Sequence, residues 1–533
     1  MFKRVIVSLG FMVGCSLAGN TSVGQTTDPL LFPKDSFKLE TKIVKTSAGE
    51  KKVTFRSYLH IPYVAKPVDK EYQSLNVSVP VTVEGVAVDA TNAPILFTNG
   101  IGGYMSASNT RSGFGMPRGG TPGTPPGGKM NGGPEGPNGF GGPGKPPEGM
   151  PPMPAGGFGP GPNGNSKVSR NADLALAAGY VVVSPGCRGR DNQAADGTFY
   201  GKAPAAIVDL KGAVRYIRHN KGVMPGNVDW IFSTGVSAGG ALSALLGSSG
   251  NNPLYDSYLE EIGAAKEADN ICGCACFCPI TDLEHADGAY EWMYRESPAR
   301  SGPVDQELSK KLKADFAKYQ AGLNLQGKGG FGTITADNFD KYLLQYFLYP
   351  AANKFLKDLT DEKRKAYLEK NSWITLSEIG AAFTFTDYVA HVGRMKSLPA
   401  FDDFNMKQGE PIEFGNKTTD ARHFTNFSLQ QTTGDPGAEI ESDLKTKVDM
   451  MNAIFFIIHN NEGCANHWWL RQGTSDNHTS QTVIANLATS LENRNKDVNT
   501  KLYWDAGHGA DEDAEDFISW IGNVTGFARV KNR

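Results

Sequence analysis

The 533-residue chain has no marked excess of charge of either sign: 53 lysines and arginines stand against 56 aspartates and glutamates, for a formal net charge of −3. A nucleic-acid-binding domain needs a clustered basic face, so that class of protein is not indicated. Beyond residue 20 the chain also lacks any apolar run near the ~20 residues that span a membrane. With 39 % hydrophobic residues, it can build one large domain with insertions or two to three ordinary domains.

The N-terminus differs from the rest of the chain. Two basic residues precede an apolar run from Val5 to Gly14, and small residues follow, which is the order found in export signals. Residues 1–18 are therefore predicted to be an export signal, with cleavage after Ala18 or lipid attachment at Cys15 as the two alternatives. We expect a protein that is periplasmic, secreted or lipid-anchored at the cell envelope.

Glycine is abundant, with 63 residues, and much of the excess lies in one segment. Most residues between 111 and 165 are glycine or proline, a composition that cannot build a packed core. The absence of a strict Gly-X-Y period excludes a collagen helix. We interpret residues 105–165 as a disordered insertion in the loop that follows PILFTNG (94–100).

Cysteine is too sparse for a disulfide framework: the chain has seven, of which four lie in CGCACFC, from Cys272 to Cys278. In a β-strand these four side chains would share one face, and neighbours two residues apart have poor geometry for a disulfide. No histidine or second cysteine pair stands nearby in the sequence. We therefore predict buried free thiols, and no metal ion or other cofactor.

Short apolar runs bounded by glycine or proline alternate with helix-like segments, which predicts an α/β fold with a mostly parallel, doubly wound sheet. The predicted strands lie at 94–100, 179–186, 228–235, 271–280, 454–460, 467–473 and 500–507, and the clearest helices at 171–179, 203–220 and 238–247.

Between residues 281 and 450 the pattern becomes helical. We assign 30–280 and 451–533 to one α/β core, and 281–450 to a helical cap inserted between two of its strands. Such an insertion lies over the edge at which open α/β sheets bind ligands.

The motif Gly235-Val236-Ser237-Ala238-Gly239 stands at the junction of a predicted strand and a predicted helix, as a nucleophile elbow requires. Small residues flank the serine because the turn is tight. A serine needs a general base, and the base needs an orienting acid. Ser237 is therefore the predicted nucleophile.

The predicted base is His508, in the loop DAGHGAD between the last strand and the last helix. The predicted acid is Asp476, which follows the preceding strand by a short loop. Asp505 is a poorer choice because it shares the histidine's own loop, and Asp449 precedes both of the last strands. The backbone N–H groups of Ala238 and of Gly102 or Gly103, in the loop after PILFTNG, are the predicted oxyanion donors. The glycines suit this role because they let the backbone approach a substrate closely.

Several separated blocks resemble bacterial tannases and related α/β-hydrolases, in the same order along the chain. They are GVSAGGALSALLG, CPITDLEHADGAYEWMY (278–294), SLPAFDDF (397–404), TDARHFTNFS (419–428), and QGTSDNHTS together with DAGHGAD. The resemblance implies a capped α/β-hydrolase that cleaves esters of gallic acid and similar phenolic acids.

The resemblance also implies that a lysine and a glutamate of the cap bind phenolic hydroxyls. By context these are Lys396 and Glu410, which can donate to and accept from phenols. A second aspartate is expected two residues after the acid, but this chain has His478 there. Because a neutral imidazole brings no negative charge, a feruloyl or coumaroyl ester is an alternative to a galloyl ester.

These observations predict an exported serine esterase that acts on a small phenolic ester, without a nucleic-acid or membrane-spanning role. Another carboxylesterase or a peptidase on the same scaffold is the first alternative. The second is a non-catalytic exported binding protein.

Overall fold

The computed structural model describes residues 28–109 and 167–527. The predicted export signal with Cys15 and the Gly/Pro segment from residue 110 onwards lie outside the described residues. Within the described ranges, no helix combines the length and the apolar character needed to cross a membrane.

Ten strands form one central sheet, in the order β1-β2-β3-β6-β5-β7-β8-β13-β14, with β4 paired to β3. The strands of the described ranges are β1 (Lys38–Thr46), β2 (Gly49–Pro62), β3 (Ser74–Val83), β4 (Val86–Ala87), β5 (Ile95–Thr98), β6 (Val181–Pro185), β7 (Ile231–Val236), β8 (Gly273–Phe277), β9 (Gln326–Gly327), β10 (Gly332–Thr333), β11 (Thr375–Ser377), β12 (Gly380–Ala382), β13 (His467–Gly473) and β14 (Asp497–Tyr503). The strands from β6 to β14 in the sheet order pair in parallel, whereas β1, β2 and β3 pair antiparallel at one edge. The predicted mostly parallel sheet is confirmed; the antiparallel strands were not predicted.

Helices cover both faces of this sheet and fill the segment between β8 and β13. They are α1 (Lys167–Ala178), α2 (Ala205–His219), α3 (Ala238–Ser248), α4 (Asp256–Glu261), α5 (Leu283–Tyr294), α6 (Gln306–Leu323), α7 (Phe339–Leu343), α8 (Tyr349–Asp358), α9 (Asp361–Lys370), α10 (Phe385–Val392), α11 (Gly409–Glu413), α12 (Asn426–Thr433), α13 (Ser442–Met450), α14 (Ala453–Ile458), α15 (Gln481–Glu492) and α16 (Ala514–Thr525). Alternate residues of the buried strands therefore face opposite apolar cores. In β8, for example, Cys274 and Cys276 pack in one core, whereas Ala275 and Phe277 pack in the other.

The helical segment between β8 and β13 begins and ends at neighbouring points of the core. The N–H of Ala453 donates to the carbonyl oxygen of Thr281 at 3.3 Å. The Asn452 side chain donates to Asp282 Oδ1 at 2.9 Å. The two ends of the helical segment are thus hydrogen-bonded to each other. Since the segment begins directly after β8, it lies at the carboxyl ends of the parallel strands.

One predicted strand is wrong: the apolar run at 454–460 is not a strand but forms α14. Asn452 caps this helix, because its side-chain oxygen accepts from the N–H groups of Ile454 and Phe455. The helix packs between α3 and α15. A short, fully apolar run does not distinguish a buried helix from a buried strand by its periodicity.

The prediction that all four cysteines from Cys272 to Cys278 share one face of a strand is wrong. Only Cys274 and Cys276 of the four lie within β8, where both face one core. Cys272 precedes the strand and packs against the other core. Cys278 follows it at a positive φ of 47°, so its side chain leaves the row. The six cysteines in the described ranges are free.

Candidate active site

Ser237 lies in a tight turn between β7 and α3, with a φ of 59° and a ψ of −123°. Its N–H donates to the carbonyl oxygen of Phe277 at 2.9 Å. A β-carbon at Gly235 would lie 2.3 Å from the carbonyl oxygen of Gly239, and one at Gly239 would lie 2.7 Å from that of Ile101. The two glycines of the motif are therefore required by close backbone packing, and the turn holds Ser237 at the N-terminus of α3.

Asp476 and His508 form a buried pair at the ends of β13 and β14. His508 Nδ1 is 2.9 Å from Asp476 Oδ2, and their side chains are 4 % and 0 % exposed. The rejected acids are engaged elsewhere: Asp505 pairs with His391 at 2.7 Å, and Asp449 with Lys445 at 2.7 Å. The fold thus brings the predicted acid to the predicted base.

The loop of His508 is also fastened beside Ser237. Gly509 faces Val236, since a β-carbon at Gly509 would lie 3.5 Å from Val236 Cγ1. The N–H of Gly509 donates to Cys278 Sγ at 3.0 Å. Because Phe277 holds the Ser237 backbone, and Cys278 is the next residue, consecutive positions of one segment anchor both loops.

The electrostatics of the pair favour an ionised aspartate. Burial alone would raise the pKa of Asp476, but the nearby His508, its hydrogen bond, and the N–H of His478 hold that pKa below its usual value. An ionised Asp476 can accept the Nδ1 proton of His508. The Nε2 atom is then left unprotonated in the neutral imidazole, as a general base requires.

The predicted oxyanion loop approaches the start of α3. Asn99 Nδ2 donates to the carbonyl oxygen of Gly239 at 3.0 Å and to Ser243 Oγ at 2.8 Å. Gly103 has a φ of 57°. Its carbonyl oxygen accepts from Arg190 Nε at 2.7 Å. The start of this loop, at Asn99, is thereby held against the first turn of α3, which begins at Ala238.

Lys396 extends from the segment that follows α10. Its Nζ lies 3.5 Å from the centroid of the Phe401 ring. Burial lowers the pKa of Lys396, whereas the carboxylates of Glu410, Asp287 and Asp476 oppose that shift. The acid of the pair and the other predicted cap residue thus both favour the charged form of Lys396.

Glu410 lies in the short helix α11. The preceding residue, Gly409, packs against Arg190. A β-carbon at Gly409 would lie 3.3 Å from the guanidinium carbon of Arg190. Burial, followed by the charges of Glu413 and Glu410, raises the pKa of Tyr104 in the oxyanion loop. The charge of Glu410 thus acts on both this loop and Lys396.

His478 stacks on His508, with ring centroids 4.3 Å apart and an interplanar angle of 16°. Burial and the neighbouring His508 lower the pKa of His478 to about 4. Its imidazole is therefore neutral at neutral pH. The position at which the resemblance implies a carboxylate holds an uncharged ring that shields one face of the predicted base.

The sequence reasoning missed the residue that joins the cap to the acid loop. The Tyr290 hydroxyl accepts from the N–H of Lys396 at 3.0 Å and donates to the carbonyl oxygen of Asn477 at 3.0 Å. Tyr388 adds a second link, donating to the carbonyl oxygen of Thr474 at 2.6 Å. Tyr290 lies within the block 278–294, but no spacing rule connects a tyrosine there with a loop almost 190 residues later.

Comparison with known proteins finds similarity to esterases. The family profile described as BD-FAE matches residues 158–321. Esterase LipC of Mycobacterium tuberculosis is 34 % identical over 102 residues, which cover 19 % of this chain and 22 % of LipC. The matched segment is thus about a fifth of that relative.

Solved structures match along almost the whole chain. The tannase of Fusobacterium nucleatum is 32 % identical, with a TM-score of 0.74 over 93 % of this chain and 99 % of that one. A tannin acyl hydrolase in complex with ethyl gallate is 28 % identical, with a TM-score of 0.74 over 93 % and 98 % of the two chains. This chain belongs to the bacterial tannase family of carboxylic ester hydrolases with the α/β-hydrolase fold.

Proposed function

We propose that this protein is a serine esterase that hydrolyses esters of phenolic acids through an acyl-enzyme. The observation that carries the proposal is the buried Asp476–His508 pair, whose loop is fastened beside the Ser237 turn. His508 takes the proton of Ser237 as the hydroxyl attacks the ester carbonyl. It then protonates the leaving alcohol, and water repeats the sequence on the acyl-enzyme.

Negative charge develops on the carbonyl oxygen during each attack. The N–H of Ala238, at the start of α3, and an N–H of the Gly102–Gly103 loop are the proposed donors to that oxygen. Each such donor is worth roughly 2.7–4 kcal/mol in the transition state. The hydrogen bonds of Asn99 to Gly239 and Ser243 keep the two donor segments together.

The cap residues support a phenolic acyl group. Lys396 can donate a charged hydrogen bond to a phenol oxygen, and the Glu410 carboxylate can accept from a phenol O–H. The likeness to a tannin acyl hydrolase in complex with ethyl gallate favours the same type of acyl ring.

The basic-then-apolar order of residues 1–18 supports a further proposal, export of the enzyme, which N-terminal sequencing of the mature protein tests.

A panel of four substrates tests the proposed class: methyl gallate, methyl ferulate, p-nitrophenyl acetate and a prolyl peptide. We expect the two phenolic-acid esters to have the highest kcat/KM. Preference for p-nitrophenyl acetate would instead support a general carboxylesterase, and turnover of the peptide alone would support a peptidase. No turnover of any of them would favour the binding-protein alternative.

Replacing Lys396 by methionine should lower kcat/KM for phenolic esters selectively. The variant lacks one charge-assisted hydrogen bond, worth about 1.5–3 kcal/mol, so kcat/KM for methyl gallate should fall by roughly 10- to 150-fold. Hydrolysis of p-nitrophenyl acetate, whose acyl group has no hydroxyl, is the internal reference. An equal loss on both substrates would contradict a role of Lys396 in acyl-ring recognition.

Replacing His478 by aspartate should change the choice between acyl rings. The new carboxylate can accept from a further phenol O–H, so the ratio of kcat/KM for methyl gallate to that for methyl ferulate should rise about tenfold. His478→Asn, which adds no charge, is the matched control and should leave the ratio near its wild-type value. The role of His478 in ring selection is refuted if the two variants give the same ratio.

A further inference from the structure

The acid and base of the candidate active site share their surroundings with a thiol that the esterase mechanism does not use. Cys278 follows β8, Asp476 follows β13, and His508 follows β14. These three strands are adjacent and parallel in the sheet. Their carboxyl ends therefore meet at one edge, which brings together three residues that are far apart in the chain.

The donor atoms of these three side chains form one compact group. One ligand atom each of Cys278, Asp476 and His508 lies within 4.8 Å of the other two. Cys278 and Asp476 are fully buried, and the side chain of His508 is 4 % exposed. The sulfur is further fixed by the N–H of Gly509, and such N–H donors also support metal-bound sulfur.

We propose that Cys278, Asp476 and His508 form a binding site for one thiophilic divalent metal ion, such as Zn²⁺ or Cd²⁺, and that the bound ion inhibits the enzyme. The donor set of one sulfur, one imidazole nitrogen and one carboxylate oxygen suits such ions. Three protein ligands leave the fourth position of a tetrahedral ion for water. The bound ion is proposed as an inhibitor and not as a cofactor of the reaction.

The geometry needs only small adjustments. Ligand bonds of about 2.0–2.3 Å place the donors of a tetrahedral ion roughly 3.3–3.8 Å apart. His508 Nδ1 and Asp476 Oδ2 are 2.9 Å apart and must separate slightly, while no two ligand atoms of the group are more than 4.8 Å apart. Adjustments on the order of 1 Å bring these separations to the tetrahedral range.

Binding changes the protonation of the site in a defined way. The ion forms bonds to Cys278 Sγ, Asp476 Oδ2 and His508 Nδ1. The thiol proton leaves to solvent, and the imidazole proton moves from Nδ1 to Nε2. Because Nε2 then carries a proton, it can no longer accept the proton of Ser237. Inhibition, though not binding, therefore rests on the proposed function.

Cadmium is the probe for binding, since a Cd²⁺–thiolate bond adds a charge-transfer absorption in the ultraviolet. Titration of the full-length protein with Cd²⁺ should develop this band with a stoichiometry near one ion per chain. The band should disappear in Cys278→Ala and in His508→Ala, but persist in Cys464→Ala, which changes a half-buried thiol elsewhere. A wild-type protein without the band, or a Cys278→Ala variant that retains it, would overturn the site.

Inhibition is measured with p-nitrophenyl acetate, each protein being compared with its own metal-free rate. Wild type and Cys464→Ala should lose activity with Cd²⁺ or Zn²⁺ and regain it with EDTA. Cys278→Ser, which keeps the size of the side chain, should need at least tenfold more metal. Loss of the band without any difference in inhibition would retain the metal site and refute its link to the His508 mechanism.

Discussion

Replacement of Ser237 by alanine is expected to lower kcat for phenolic esters and for p-nitrophenyl acetate by about 10⁵- to 10⁶-fold. The variant removes the only atom that would bond to the acyl group, and the base then has no hydroxyl to activate. The fold should be unchanged, because the β-carbon stays in place and the Ser237 side chain does not cap α3. Steady-state hydrolysis and thermal unfolding of the two proteins check the two parts of this expectation.

A covalent probe gives the control for this variant. A fluorophosphonate should label the wild-type protein once, at Ser237, and should leave Ser237→Ala unlabelled. Labelling at a different serine, or undiminished turnover in the variant, would disprove the nucleophile. A labelled wild-type protein without activity on the ester panel would keep the nucleophile and change only the substrate.

Asp476→Asn is expected to lower kcat by roughly 10⁴-fold with little change in KM. Asparagine is nearly isosteric, so the buried loop can keep its shape, but its amide can donate a hydrogen bond to His508 Nδ1. That bond stabilises the tautomer in which Nε2 carries the proton, and the imidazole then cannot act as the base. Measurement of kcat and KM on p-nitrophenyl acetate separates this effect from weaker binding.

Asp505→Asn is the matched control, since it makes the same chemical change in the neighbouring loop. Asp505 accepts from His391 and from the Tyr367 hydroxyl rather than from His508. Its loss should affect the attachment of the cap and leave kcat within about tenfold of wild type. If Asp505→Asn were the more damaging of the two variants, the assignment of Asp476 as the acid would be wrong.

Much of the core fold follows from local patterns in the chain. Runs such as 179–186 and 228–235 are rich in apolar residues and bounded by glycine or proline, which indicates strands buried on both faces. The structure places β6 and β7 there. The strand predicted at 454–460 is wrong because its five consecutive apolar residues fit a buried helix equally well, and the cap by Asn452 decides between the two.

The candidate site was predictable where a residue type stands in a recognisable local setting. Ser237 lies in a motif that needs a tight turn, and His508 and Asp476 lie in short loops after strands. The sequence had no comparable signal for Tyr290, because its two partners belong to other segments. The sequence neighbours of Cys278 likewise gave no sign of a metal site, because none of them is a histidine.

Three features follow from the order of residues alone: the strand-to-helix turn at Ser237, the alternation of strands and helices, and a histidine instead of an aspartate at position 478. Each of these depends on residues within one short segment, whose conformational preferences act locally. The meeting of Cys278, Asp476 and His508 at one edge of the sheet, by contrast, is visible only in the folded chain. Adjacency between strands arises from burial of the whole sheet and from parallel pairing, which join positions hundreds of residues apart.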